Sequence, residues 1–490
     1  MRRLVLYLAI LCHITAVAGC NNSPATLAEG AYRLLVNGKE VEVVSFKHYF
    51  YALFEMTEPV EVSLTSGTAI EVYEISPISR NIPSTREGNT IRFTIDRPQY
   101  IMVRINETER IFLFAERPEV IPTENTVNIL SFGVPNDGSV NITTQVQQAI
   151  NQTAANGQTL LFPPGVYKTG QLILPSNAHI HISKGATLLA DDACADAFLG
   201  PPGAPAPRRC FIFIRDASNV KITGFGAINA NGANLRAKFG DSARIRVILS
   251  ANATNLLVEG PMLKNPGSWN TQIIYSRDVV FRNVKVLNCI ELSNTDGINP
   301  DSTKNMLIEN TFGYASDDNI AIKATGNGGL LGDVYGIIAR GNVFLTKKSS
   351  LKVGTESRSA SFRNILFYDN DVLESDRGMA LYVSDGAHYD DIRFINNRFE
   401  RNYPDAQQRG IHFRANRRHA HSELGRMTNI LVKDNTFFRA FPRRSEIAFR
   451  GRDEGIGIDV EIVNLVIEGQ RITSAEQANF IIQNANVTFR

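Results

Sequence analysis

The sequence predicts an all-β protein, in which a small β-sandwich domain precedes a right-handed parallel β-helix. Two observations carry this prediction: alternating apolar residues in the first quarter of the chain, and a short motif that recurs through the rest. We place an export signal at 1–20, the sandwich domain at 21–122 and the β-helix domain at 123–490.

The segment from about residue 31 to residue 118 has the pattern of short strands. Val60, Val62 and Leu64 alternate with polar residues, which is the period of a half-buried strand. Asn37-Gly38 predicts a two-residue hairpin turn, and residues 111–114 are apolar enough for a buried strand. A β-sandwich accounts for these features, and a proline-containing linker ends it.

From about residue 127 a motif recurs in which a polar residue and an Asn or Asp precede alternating apolar residues. Its Asn or Asp falls at Asn219, Asn255, Asp278, Asn305, Asn364, Asp391, Asn429 and Asn464. The first three intervals are 36, 23 and 27 residues, which is typical of a solenoid whose rungs bury their apolar faces by stacking. Asparagines at the turns can adopt left-handed backbone angles and form hydrogen-bonded ladders. A propeller would need four strands per repeat at a more constant length.

One stretch, Thr143–Ala155, has helical character, and we expect this single helix to cover the first rung of the coil. A solenoid needs such a cap because its terminal rung has no neighbour on one side.

Composition and the N-terminus restrict the class of protein. The net charge of +2 argues against a nucleic-acid partner, and 43% apolar residues indicate a soluble protein with a core. Arg2 and Arg3, followed by an apolar stretch and small residues before Cys20, predict an export signal. Cys20 is either lipidated, giving a cell-surface or outer-membrane lipoprotein, or lies beside an ordinary cleavage site, giving a secreted protein. A lipid anchor would be the only contact with a membrane, and we expect a monomer.

The remaining cysteines suggest one disulfide. Cys194 and Cys210 flank a stretch rich in Pro and Gly, so a bond between them would close that loop. Cys289 lies in an apolar run and is predicted to be a buried thiol. The sequence has no CxxC pair and no HExxH motif, so we expect neither a protein-ligated metal nor a cofactor.

Three aspartates are the candidate catalytic residues. Asp317 follows Asp296 by 21 residues, which is close to one rung of coil, and Asp318 follows directly. Residues one rung apart lie about 5 Å from each other, so the three carboxyl groups should be neighbours and at least one pKa should rise. Glycoside hydrolysis requires a carboxylic acid with a raised pKa beside an ionised carboxylate that acts as a base. The alternatives are ordinary solvated turn residues, or a calcium site.

These segments resemble glycoside hydrolase family 28, the polygalacturonases, while the preceding sandwich is similar to the arrangement of the family 49 dextranases. The motifs concerned are Phe132-Gly133-Val134, Phe162-Pro163-Pro164-Gly165, Asn265-Pro266 with Trp269, Asn294-Thr295-Asp296-Gly297, and Asp317-Asp318-Asn319-Ile320-Ala321-Ile322-Lys323. The resemblance implies a pectin-lyase-like β-helix and an inverting mechanism in which Asp317 protonates the leaving oxygen while Asp296 and Asp318 activate water. Asn294 and Lys323, inside these motifs, are expected to contact the polysaccharide.

The sequence also departs from the family. The region of the family's Gly-His-Gly motif corresponds to 347–356 here, where Gly354 is kept but the histidine is absent. An Arg-Ile-Lys motif has become Ala380-Leu381-Tyr382, so the residues that hold a galacturonate carboxylate are missing. We predict that Lys348, Lys352 and Arg377, with Tyr382, bind the substrate instead. A further group of basic residues is interpreted as a solvated charged loop, namely Arg414, Arg417, Arg418, His419 and His421.

The sequence therefore predicts an enzyme that hydrolyses an α-linked polysaccharide other than plain polygalacturonate, with an anionic chain preferred. Three alternatives stay open: a β-helix polysaccharide lyase that uses Lys348 or Lys352 as the base, a dextranase-like hydrolase of a neutral glucan, and a non-catalytic glycan-binding β-helix.

Overall fold

The computed structural model describes residues 31–194, 209–404, 408–451 and 455–490, and we number its strands β1–β46 in chain order. The first ten strands are β1 Tyr32–Val36, β2 Lys39–Val41, β3 Val44–Phe46, β4 Tyr49–Glu55, β5 Val60–Ser66, β6 Tyr73–Ser76, β7 Ser84–Glu87, β8 Thr90–Ile95, β9 Gln99–Ile105 and β10 Glu109–Glu116. They form two five-stranded sheets, in the orders β2-β1-β5-β8-β7 and β3-β4-β10-β9-β6. The predicted β-sandwich is therefore present.

The predicted hairpin is confirmed. Val36 pairs with Lys39, which leaves Asn37 and Gly38 as the two turn residues. Both have positive φ, 48° and 75°, as a type I′ turn requires.

The rest of the chain winds into a parallel coil with three long sheets. The first contains β11 Thr126–Asn128, β12 Thr159–Phe162, β15 His179–Ile182, β18 Ser218–Thr223, β21 Thr254–Glu259, β24 Arg277–Arg282, β27 Lys304–Glu309, β30 Val334–Arg340, β33 Ser361–Tyr368, β36 His388–Ile395, β39 Arg426–Lys433, β42 Ile458–Val463 and β46 Ala485–Phe489. The second contains β13 Gly165–Thr169, β16 Ala186–Ala190, β19 Ala227–Asn229, β22 Met262–Lys264, β25 Lys285–Leu287, β28 Phe312–Ala315, β31 Val343–Thr346, β34 Asp371–Ser375, β37 Arg398–Asn402, β40 Thr436–Phe437, β43 Leu465–Ile467 and the antiparallel β44 Gln470–Ile472.

The third sheet contains β14 Leu172–Ile173, β17 Cys210–Arg215, β20 Arg246–Ala251, β23 Thr271–Ile274, β26 Ile298–Asp301, β29 Ile320–Ala324, β32 Ser349–Ser357, β35 Arg377–Val383, β38 Ile411–Ala415, β41 Glu446–Phe449 and β45 Ile481–Gln483. Inward-facing apolar residues of all three sheets form one continuous core along the coil. This sheet is the one that carries the candidate site.

The motif asparagines behave as predicted. All eight Asn or Asp positions of the repeat have φ between 49° and 59°. The side-chain amide of Asn255 donates to Asn219 Oδ1 at 2.8 Å, and that of Asn219 donates to Asn177 Oδ1 at 3.1 Å. A second, fully buried ladder was not foreseen: the amides of Asn342, Asn370 and Asn397 each donate to the next asparagine up the coil, ending at Asn435, over 2.8–3.0 Å.

The predicted cap helix is also confirmed. Helix α1, Thr143–Ala155, buries Val146, Ala149 and Ile150 in the coil core. The expectation of a single helix is wrong, because α2 spans Gly232–Phe239. Its sequence gave little signal, since only Gly232 and Leu235 are buried among its eight residues. Short 3₁₀ turns occur at Ile78–Arg80, Ile129–Phe132, Asp192–Cys194, Gly240–Ala243 and Asn327–Gly329.

The sandwich packs against the second sheet of the coil. Tyr49, Phe112 and Phe114 contact Phe312 and Tyr314, with ring centroids 4.8–5.2 Å apart. Both aromatic residues of the coil in these contacts belong to strand β28 of the second sheet.

Buried ion pairs join the same two surfaces. Glu374, fully buried in β34, accepts hydrogen bonds from Arg104 at 2.6 Å and Arg110 at 2.8 Å. Lys285 pairs with Glu116. Each of these charges has its partner across the interface.

Three sequence predictions concern residues outside the described ones. The signal segment with Cys20 and the side chain of Cys194 lie there, so the lipidation and the Cys194–Cys210 disulfide stay predictions. Cys289 is buried, and burial raises the pKa of its thiol, as expected for a structural cysteine. No helix in the described ranges is long and apolar enough to cross a membrane.

Candidate active site

The acidic residues lie where the chain enters the third sheet. Strands β26 and β29 pair Ile298 with Ile320, and Asp296 and Asp318 each precede their strand by two residues, so they occupy equivalent places on adjacent rungs. The backbone NH of Gly297 donates to the Asp318 carbonyl at 2.8 Å. A Cβ at Gly297 would lie 2.4 Å from the Asn319 carbonyl oxygen, so only glycine permits this approach. The structure thus brings Asp296, Asp317 and Asp318 together, as the rung spacing predicts.

Asp318 is held in its ionised form. Lys352 Nζ lies 2.6 Å from its Oδ2, and the backbone NH of Ser349 donates to its Oδ1 at 3.0 Å. Burial alone would raise the pKa of Asp318, but Lys352 and Lys323 together lower it below its ordinary value. Asp318 is therefore equipped to act as a base.

Asp317 has the opposite character. Burial first, and then the neighbouring Asp318, raise the pKa of its carboxyl. Asn294 Nδ2 lies 3.3 Å from its Oδ2, and the NH of Asp318 donates to its Oδ1 at 3.0 Å. Asp317 is more exposed than the other two acids, so a proton on it can reach a bound substrate.

Asp296 is buried as deeply as Asp318, each with 2% of its surface exposed. Burial raises its pKa well above the ordinary range. Lys323 Nζ lies 3.3 Å from its Oδ2, yet that oxygen accepts no hydrogen bond. This oxygen is buried, and its charged partner is Lys323.

A lysine and a glutamate support Asp296 from behind. Lys323 Nζ lies 3.3 Å from both Asp296 and Glu356 and 4.0 Å from the ring centroid of Trp269. Burial would raise the pKa of Glu356, but Lys323 and Arg418 contribute to lowering it to about 2. Glu356 was not predicted to belong to the site, and in the sequence only its position two residues after Gly354 points to it.

The predicted substrate-binding residues separate into two groups. Lys352 and Lys323 are paired with the acids, and Asn294 lies between Asp317 and Arg244, whose Nη1 donates to it at 2.8 Å. The other three line the following rungs. Lys348 is exposed and close enough for its charge to act on Asp317, Arg377 donates to Ser349 Oγ at 3.1 Å, and Tyr382 OH lies 2.7 Å from His412 Nδ1.

The predicted charged loop is wrong in two respects. Arg414 belongs to strand β38, where it pairs in register with Tyr382. Arg418 lies 3.0 Å from Glu356, so it is part of the charge network behind the acids. The two histidines of the loop, His419 and His421, stack on each other with ring centroids 5.4 Å apart.

Arg246 was missed entirely. It is 9% exposed, and its guanidinium lies 5.3 Å from the ring centroid of Trp269. It is the first residue of the otherwise mostly apolar strand β20, so nothing in the sequence marked it as a site residue.

The acids are not arranged as a cation site. Within the described ranges, no group of three or more His, Cys, Asp and Glu side chains is placed to hold a metal ion. Beside Asp296 and Asp318 the positive charges are those of Lys323 and Lys352.

Comparison with known proteins identifies the coil. Residues 156–399 match the family described as "Glycosyl hydrolases family 28". The central part of the β-helix thus matches family 28. The matched segment contains all three acids, in agreement with the resemblance noted from the motifs.

The chain matches only part of the length of its relatives. A probable polygalacturonase of Vitis vinifera is 27% identical over 221 residues, which is 41% of this chain and 44% of that protein. The chain therefore spans less than half the length of this relative.

Solved structures agree on the fold. The polygalacturonase of Erwinia carotovora superposes with a TM-score of 0.60 at 20% identity, covering 76% of this chain and 99% of that one. Dex49A of Penicillium minioluteum gives a TM-score of 0.61 at 15% identity and covers 90% of this chain and 83% of its own. The broader coverage by Dex49A is consistent with a domain before the coil.

Proposed function

We propose that the protein is a glycosidase that cleaves an α-linked polysaccharide by acid–base catalysis with inversion. One observation carries this proposal: adjacent residues of one turn, Asp317 and Asp318, have pKa values displaced in opposite directions. Two carboxyl groups with separated pKa values are the requirement for an acid and a base in one site. The match of residues 156–399 to glycosyl hydrolase family 28 supports the same chemistry.

The reaction assigns one role to each acid. Asp317 donates its proton to the glycosidic oxygen as the bond from the anomeric carbon breaks, so the leaving sugar departs with a neutral hydroxyl. Asp318 accepts a proton from the attacking water, whose oxygen forms the new bond from the opposite face. Asp296, on the rung before Asp318, helps to orient that water. Lys352 and Lys323 act as positioning residues for Asp318 and Asp296.

The substrate is proposed to be a polysaccharide with anionic groups, other than plain polygalacturonate. The basic residues of the family's Arg-Ile-Lys motif are replaced here by Ala380 and Tyr382. Positive side chains stand on neighbouring rungs instead, including Lys348, Arg377 and Arg414. We further propose that the N-terminal signal exports the protein, either free or anchored through Cys20.

A polysaccharide lyase is the second candidate because Lys348 is exposed beside Asp317. A lyase needs an unpaired base to remove a proton next to a carboxylate. Lys352, the other candidate base, lies 2.6 Å from Asp318 and is poorly placed for that task. The contacts of Lys352 therefore favour hydrolysis.

A substrate panel tests the proposal. The enzyme is incubated with pectins, dextran, pullulan and sulfated galactans, and both reducing ends and ultraviolet absorbance of unsaturated products are followed. Reducing ends without absorbance are expected, with little activity on polygalacturonate. A product absorbing in the ultraviolet would assign the lyase reaction, and no cleavage of any chain would favour a binding role.

Stereochemistry gives a second measurement. Room for a water molecule requires acid and base carboxyl groups roughly 6.5–9.5 Å apart in inverting enzymes. Proton NMR of the first-formed product should show the inverted anomer. Net retention would exclude the proposed roles of the acids.

A further inference from the structure

Most basic side chains of the cleft already have a carboxylate within 4.0 Å. The pairs are Lys323–Asp296, Lys352–Asp318, Arg377–Asp376, Arg409–Glu446 and Arg418–Glu356. Their charges are balanced inside the protein, so a substrate anion would have to compete with a fixed carboxylate.

Arg246 is an exception on one side of the acids. It is buried, its Nε has no hydrogen-bond partner, and no carboxylate of the described residues lies within 4.0 Å of its guanidinium. The register of β20, β23 and β26 aligns Ile248, Thr271 and Ile298. Two residues earlier on each rung stand Arg246, Trp269 and Asp296, so Arg246 lies two rungs, or about 10 Å, before Asp296.

Arg414 is the corresponding exception on the other side. Its guanidinium lies 5.1 Å from the ring centroid of Tyr382, and its buried Nε also has no hydrogen-bond partner. Within the part of the chain that the structure describes, no carboxylate approaches its guanidinium to 4.0 Å. The adjacent Glu446 is engaged by Arg409 at 2.8 Å and Arg450 at 2.6 Å.

Neighbouring groups do not neutralise Arg414. His412 is on the same strand, and burial, followed by the nearby arginines, lowers its pKa to about 3. His412 is therefore uncharged at ordinary pH. It shares a hydrogen bond with Tyr382 but carries no charge that could act on Arg414.

We infer that Arg246 and Arg414 bind anionic groups of one polysaccharide chain on opposite sides of the scissile bond. Burying a guanidinium without a counter-ion is unfavourable, and its planar donor pattern matches a carboxylate or a sulfate ester. This inference rests on the proposed function, and it replaces Lys352 by Arg246 and Arg414 as the groups that recognise substrate charge.

Binding is measured with Asp317→Asn as the background, so that the chain stays intact. The probes are polygalacturonate, a sulfated galactan and dextran, followed by affinity electrophoresis and calorimetry at two salt concentrations. Arg246→Gln and Arg414→Gln are compared with Arg363→Gln. Arg363 is the matched control, since its guanidinium lies 5.5 Å from the ring centroid of Tyr335 on the first sheet, away from the cleft.

We expect one anionic chain to bind more tightly than dextran, with affinity falling as salt rises. Each cleft variant should weaken that binding by roughly 10-fold or more, and Arg363→Gln should leave it unchanged. If the variants weaken binding of polygalacturonate, the arginines recognise carboxylates; if they weaken binding of the sulfated galactan, the arginines recognise sulfate esters. Because Arg246 is buried, Arg246→Gln is compared with Arg246→Lys, and thermal melting checks that both variants fold. The lysine variant should fold and recover part of the binding.

Three results would overturn the inference: equal or tighter binding of dextran, no binding of either anionic chain, or losses no larger than those of the control. None of these results bears on the acids. The proposed hydrolysis fails separately, if Asp317→Asn cleaves the true substrate at the rate of the unmodified enzyme.

Discussion

The sandwich–coil interface and the cleft both bury charged groups, but they treat them differently. At the interface, Glu374 is fully buried and receives hydrogen bonds from both Arg104 and Arg110. In the cleft, no carboxylate of the described residues lies within 4.0 Å of the guanidinium of Arg246 or Arg414, which instead lie 5.3 Å and 5.1 Å from the ring centroids of Trp269 and Tyr382. The first region therefore uses buried charge to join two bodies of the protein. The second region leaves arginine side chains without a carboxylate partner, and we propose that they bind a ligand.

The largest expected effect concerns the cleft. Asp317→Asn removes the proton donor, so kcat should fall by roughly 10²–10⁴-fold or more, with melting temperature and substrate binding preserved. Steady-state kinetics and thermal melting measure the two quantities. Asp278→Asn is the control, because this turn residue lies on the opposite side of the coil and an Asn can still accept from Asn305. Near-normal turnover by Asp317→Asn would show that another group is the acid.

A substitution at the sandwich–coil interface should lower stability and leave activity unchanged, the reverse of the effect expected for Asp317→Asn. Glu374→Ala leaves the buried guanidinium of Arg110 without its carboxylate partner and Arg104 with Glu74 alone, so the free energy of unfolding should fall by about 3–5 kcal/mol. Activity per folded molecule should stay constant. Glu461→Ala, which breaks an exposed pair with Arg490, should cost about 0–1 kcal/mol in the same denaturant titration. Equal losses in both variants would mean that the interface pairs do not stabilise the fold.

A smaller effect tests how Lys352 controls the acids. Its positive charge lowers the pKa of Asp318 and also that of Asp317. Lys352→Met should therefore raise both pKa values, so both limbs of the pH profile of kcat/KM should move to higher pH, by about one unit or more for the acid limb. Lys304→Met, an exposed lysine of the first sheet, should leave both limbs in place. Unmoved limbs in Lys352→Met would contradict the assigned pairing.

Local patterns in the sequence were sufficient for much of the fold. The hairpin at Asn37-Gly38, helix α1 and the asparagine ladder each depend on residues close in sequence or on one repeated position. The adjacency of the three acids also followed from rung length alone. Residue types and intervals were enough in each of these cases.

Contacts between side chains that are far apart in the chain could not be predicted from the sequence. Lys352 was expected to face the substrate, but its partner Asp318 is 34 residues away and is chosen by the packing of two rungs. Arg414 was assigned to a loop because basic neighbours concealed the strand Ile411–Ala415. The placement of the sandwich on the second sheet depends on aromatic residues more than 180 positions apart, such as Phe112 and Phe312.

The stacked rungs divide the cleft into equal intervals. Backbone hydrogen bonds fix each step at about 4.8 Å, whatever the length of the loops between strands. Equivalent positions on neighbouring rungs are therefore one fixed step apart along the bound polysaccharide. Exchanging the residue types at two such positions shifts a functional side chain by that one step. In this protein the basic character lost at Tyr382 is present one step further, at Arg414. Substrate preference in such a coil can thus change by translation along an unchanged backbone, with the acids left in place.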